Sequence, residues 1–175
     1  MMSEHGFFRM LGGAAILGGA LRIVSAFVPW EQNLAWLEAF YFVIDVALLF
    51  GLMGIYFAEH ARLGIAGFAA FVLAETGIAS IVGPDGMAFG LDVYQLGVFA
   101  ISIGLAVLGV VMLIVRAGST IAAACWIGAL LVGLGGTLTN QPEAGFVAGG
   151  VLFGLGFVVA GAALVRATPV VGKAS

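Results

Sequence analysis

The stretch LAWLEAFYFVIDVALLFGLMGIYFA, residues 34–58, decides the fold. As a helix it would rise about 37 Å at 1.5 Å per residue, enough to cross the roughly 30 Å hydrocarbon core of a bilayer. Yet it carries Glu38 near one end and Asp45 at its middle. A carboxylate at the bilayer centre is costly, so it normally faces a bundle interior, finds a partner and marks a functional site.

Comparable runs fill the rest of the chain. Of its 175 residues 63% are hydrophobic and only 9% charged, and its mean hydropathy is +1.21. Soluble domains carry about 25% charged residues, so a solvated surface cannot be built from this composition. The reading is an all-α polytopic membrane protein: one domain, a six-helix bundle, with spans at about 7–28, 34–58, 63–82, 94–115, 121–138 and 145–165. The connectors between them are short and polar. Within lipid every backbone amide needs an internal partner, which selects helices over open strands. Arg9 before an apolar run and Val24-Ser25-Ala26 resemble a cleavable leader. Arg22 interrupts that run, so it reads as the first span.

The basic residues set an orientation. Arg9, Arg62, Arg116, Arg166 and Lys173 fall on one side, whereas the opposite connectors hold Glu31, Asp85, Asp92 and Glu143. The positive-inside rule then places both termini in the cytoplasm. Phe27, Trp30 and Trp36 would form an aromatic belt at the outer face, with Phe7, Phe8, Tyr56 and Phe57 at the inner one. Pro29, Pro84 and Pro142 mark the three outer connectors, which suggests three helical-hairpin repeats. Most of the 28 glycines lie inside spans, as in Gly145-x-x-x-Gly149 and Gly150-x-x-x-Gly154. Small residues let membrane helices approach closely.

Counting the rise along each span puts Arg22 about 9 Å, Glu38 about 6 Å, Glu75 about 10 Å and Asp45 about 16 Å below the outer edge. These four are the candidate site for a proton or ligand, all in the outer half, with Arg22 and Glu75 the best depth match for an ion pair. One arginine cannot neutralise three carboxylates, so Asp45 or Glu75 is expected to carry an exchangeable proton. Gln95, near the start of span four, extends the candidate site from the outer side, as do Thr137, Thr139 and Asn140. Trp126, at mid-depth in span five, is a core residue or a wall for an apolar ligand.

Other chemistry is excluded or unsupported by the residues. Six basic residues and a net charge of −3 make no stripe for nucleic acid. The single Cys125 permits neither an internal disulfide nor a multi-cysteine metal site. His5 and His60 sit at the expected inner surface, away from any pocket that could hold haem. No phosphate loop, zinc-protease motif or nucleophile elbow occurs. No catalytic residue, metal site or cofactor is therefore expected.

The run Gly51-Leu52-Met53-Gly54-Ile55-Tyr56, followed by Glu59-His60-Ala61-Arg62-Leu63-Gly64, resembles small multi-span bacterial membrane proteins of unassigned function. The resemblance covers roughly the first three spans and carries over no functional residue. It implies a multi-pass protein of a bacterial inner membrane. Three functions follow as expectations: binding or transport of a small solute, proton or lipophilic ligand through the charged site; an accessory or structural subunit of a larger membrane complex; and a membrane enzyme on a lipophilic substrate. The expected partners are the lipid bilayer and a homo-oligomer or larger complex.

Overall fold

A computed structural model describes residues 4–28, 34–82, 87–88 and 90–167. Five helices run in order: α1 (Glu4–Ser25), α2 (Ala35–Ile81), α3 (Val93–Val115), α4 (Thr120–Leu138) and α5 (Pro142–Arg166). A two-residue hairpin, β1 (Met87–Ala88) and β2 (Leu91–Asp92), pairs antiparallel just before α3. Each of the five helices is long and apolar enough to cross a membrane. Their outward faces are apolar too, with Ile65 88%, Leu138 83% and Ile114 74% exposed. Such surfaces belong in lipid rather than water.

At 47 residues, α2 would extend about 70 Å if straight. It is broken at Gly64, where φ is 60° and ψ is −161°. That conformation is the mirror image of ordinary extended backbone, a region essentially reserved for glycine. Tyr56 and Phe71 then stack with ring centroids 4.2 Å apart and planes 11° apart. On a straight helix the same two residues would be separated by about 22 Å. The legs 35–63 and 65–81 therefore lie side by side.

This differs from the expected connector at residues 59–62, which is helical. Three polar contacts occupy its side chains. Glu59 and Arg62 pair at 3.3 Å one turn apart. Arg62 also donates to the carbonyl of Val115 at 3.3 Å and to that of Arg116, at the end of α3. A cation there satisfies carbonyls that the helix leaves unpaired and opposes the negative end of its dipole. The reversal falls instead on Gly64. Six separate segments were expected; among the described residues there are five helices, one of them bent.

The remaining ends follow local chemistry. Asp92 caps α3 by accepting from the Gln95 amide at 3.1 Å, and Ser119 caps α4 by accepting from the Ala122 amide at 3.4 Å. Both are residue types that favour this position. Arg116 closes α3 in the left-handed conformation, its amide donating to the Met112 carbonyl. Pro142 opens α5, where its missing N–H costs nothing, so the helix starts earlier than the expected Gly145.

Close crossings fix the order of the helices. A Cβ on Gly51 would meet Ala15 at 2.6 Å, and one on Gly18 would meet the Leu48 amide at 2.9 Å, which sets α1 against the first leg of α2. Gly77 and Gly104 of the second leg and α3 are equally confined by Ile101 and Ala74. Gly109 meets Ala123, Gly136 meets Gly145, and Gly12 meets Gly161, joining α3 to α4, α4 to α5 and α5 back to α1. The bundle closes on itself around a core that includes Ile44, Leu52, Leu105, Leu108, Trp126 and Phe157. Arg9, Arg62, Arg116 and Arg166 all reach one end of it, and Asp92 and Glu143 the other. Pro29, Trp30, Glu31, Pro84, Asp85 and Lys173, which entered the repeat, belt and orientation arguments, lie outside the described residues.

Candidate functional site

Antiparallel packing of α1 on the first leg of α2 sets the register of the charged residues. Gly18 rests on Ala47 and Leu48, and one turn beyond Arg22 the Tyr41 hydroxyl donates to the Ser25 carbonyl at 3.5 Å. Arg22 and Asp45 lie between these two contacts. Arg22 is the charge that the desolvated Asp45 carboxyl feels, yet the two do not approach within the 4.0 Å of a contact ion pair. Among the described residues that distance is met only by Glu59 and Arg62.

Arg22 is held by neutral groups instead. Its Nη1 donates to Ser25 Oγ at 3.1 Å, while Ser25 Oγ donates to the Arg22 carbonyl at 2.9 Å. The guanidinium lies 5.5 Å from the centroid of the Phe146 ring on α5, an attraction that grows where water is scarce. The cation is thus positioned by α1 and α5 and has donors to spare.

Glu75 stands apart from this pair. It shares with Phe71, one turn earlier, the stripe of the second leg that faces the first leg. Asp45, Leu52 and Tyr56 form the matching stripe on the first leg. Because Tyr56 meets Phe71, Glu75 lies opposite Leu52, and Asp45 lies about 10 Å further from the bend at Gly64. Both Glu75 carboxyl oxygens are buried and lack a hydrogen-bond partner among the described residues. Burial of the carboxyl keeps water from them. The expected Arg22–Glu75 ion pair is therefore not formed, and Glu75 lies nearer the bend at Gly64 than Asp45 does, the reverse of the expected order.

The other candidates do not join either carboxyl. Glu38 is exposed near the start of α2, and Gln95 is exposed in the first turn of α3. Trp126 is 1% exposed and packs edge-on to Phe157 at 5.4 Å, its indole nitrogen against Gly156. It fills the core, and its Nε1 has no acceptor among the described residues. Thr137 and Thr139 return their hydroxyls to carbonyls of their own helix.

Sequence reasoning missed the residues that position the site. Ser25 follows Arg22 by one turn, a signal open to inspection. Phe146 comes from α5, which only the closed bundle brings to α1. Among the described residues no three His, Cys, Asp or Glu side chains gather as a metal set. Chemically, Arg22 offers spare donors at the level of the Asp45 carboxyl, and the Glu75 carboxyl can carry a proton. No protein-family model, no curated protein and no solved structure matches this chain.

Proposed function

We propose that this chain is a multi-pass protein of a bacterial inner membrane that binds and moves a small ionisable solute or a proton through the outer half of its bundle. The observation that supports the reading most is Arg22 and Asp45, brought to one level within the apolar bundle and left without direct contact. Opposite charges at such depth ordinarily close on each other. A gap between them leaves donors and an acceptor free for a transient occupant. In this reading both legs of α2 cross the membrane, giving six crossings as three hairpins with both termini cytoplasmic. The arginines at one end of the bundle agree with that orientation.

A second reading, a subunit of a larger membrane complex, draws on α4. It is the least enclosed of the five helices, and a Cβ on Gly133 or Gly135 would meet nothing within 4 Å. Open glycines suit a neighbouring helix better than lipid. Native mass spectrometry after gentle extraction from the source membrane separates the two. Copies of this chain alone, releasing a small bound mass on activation, support the first. A fixed stoichiometry with a different protein would overturn it.

A further inference from the structure

The two carboxyls of α2 lie on one seam, and aromatic rings stand at its inner end. Asp45 is at its outer part, beside the Arg22 charge. Glu75 comes about 10 Å nearer the bend at Gly64, with both oxygens enclosed and, among the described residues, unpartnered. One turn further in, Tyr56 and Phe71 stack face to face, and Phe57 and Phe68 pack against that stack at 6.3 and 6.2 Å. These rings stand between Glu75 and the inner end.

We propose that Glu75 is an internal proton-binding site, supplied from the outer side by way of Asp45 and separated from the inner side by the Tyr56–Phe71 stack, which must part for a proton to cross. The assignment deepens the reading of the outer site and rests on it for the route by which protons arrive. An ionised carboxylate at Glu75 would be a buried charge with no donor and no counter-ion among the described residues, the most costly state for such a group. With a proton bound it is neutral. The groups facing it agree. From the first leg the ionisable residues on the seam are Asp45 outward and Tyr56 inward. From α3 none lies between Tyr94 and Arg116, and Ser102 returns its hydroxyl to the Val98 carbonyl at 2.8 Å. Transfer balances simply. A proton leaves the Asp45 carboxyl, passes through transient water in the seam and ends on a Glu75 oxygen, and Asp45 remains as a carboxylate facing Arg22.

Infrared spectroscopy of the full chain in lipid vesicles, transferred from water to deuterium oxide, tests this. At neutral pH the wild type should show a protonated-carboxyl band that Glu75→Gln abolishes and Glu75→Asp shifts. In Asp45→Asn the same band should persist but exchange its proton at least about tenfold more slowly, equivalent to about 1.4 kcal/mol of barrier. Circular dichroism and gel filtration would show that the variants remain folded. Identical wild-type and Glu75→Gln spectra would overturn the site, and unchanged exchange in Asp45→Asn would overturn the route. Vesicles that carry no proton flux but show both infrared results would refute the transport reading and leave this assignment standing.

Discussion

Replacing Gly64 by alanine tests the bend in α2 directly. A Cβ at this position has nothing within 4 Å, so no clash with a neighbour contributes. What remains is the backbone, at φ 60° and ψ −161°, where an L-residue is strained by about 1–3 kcal/mol. Alanine also favours helix over glycine by about 1 kcal/mol, which here promotes the wrong outcome, a helix continuing straight through residue 64. The folded-to-unfolded ratio of Gly64→Ala should fall by roughly 5- to 150-fold. A denaturant titration in mixed micelles, read by circular dichroism and tryptophan fluorescence, measures this. D-Alanine introduced by peptide ligation is the decisive control, because mirror inversion turns the observed dihedrals into ordinary extended values. It should be tolerated, and stabilising by about 0.4–1 kcal/mol through the unfolded chain. An L-alanine variant as stable as the wild type would refute the reasoning.

The crossing of α1 on α5 offers a matched pair. A Cβ on Gly154 would collide with the Gly19 carbonyl and approach Ile23 Cγ1 at 2.8 Å, whereas one on Gly13 meets nothing. Gly154→Ala should therefore be less stable than Gly13→Ala by about 1–3 kcal/mol in the same titration, the propensity gain cancelling between them. Arg22→Gln should cost about 1–3 kcal/mol, below the figure for a fully buried pair because both groups are half-buried. Adding Asp45→Asn should recover part of that loss, and a double-mutant cycle with zero coupling would contradict the pairing. Arg62→Ala removes the donor to the Val115 and Arg116 carbonyls. Hydrogen exchange should accelerate in the last turn of α3 and around Gly64, at a stability cost of about 0.5–1.5 kcal/mol.

Apolar run length located most of the helices, because a bilayer-length stretch has few other structures open to it. The ends of α3 and α4 fall within one residue of the expected spans. The bend was misplaced for a physical reason. Glu59, His60 and Arg62 are polar in an apolar chain and so resemble a loop, but their polarity serves a helical ion pair and a cap on α3. Gly64 carries the reversal, and a glycine among 28 gives no sign of its φ. The site was legible as residues and not as an arrangement. Depth counted from the start of a span assumes that the span starts at the membrane edge. With Tyr56 opposite Phe71, the first leg of α2 outruns the second, so counts from residue 34 and from residue 82 do not start at one level. Depth also says nothing about which face meets which helix. Arg22 and Glu75 matched in depth, but the packing of α1 on the first leg gave Arg22 to Asp45 instead.

The most direct measurement of the central claim is proton movement into vesicles containing the purified chain, followed with an enclosed pH-sensitive dye after an acid step outside. The account predicts acidification faster than in empty vesicles, lost in Asp45→Asn and in Glu75→Gln and retained in Glu38→Gln, whose parent residue is exposed. Acidification that is unaffected by Asp45→Asn, or equal to that of empty vesicles across solutes and pH steps, would contradict it.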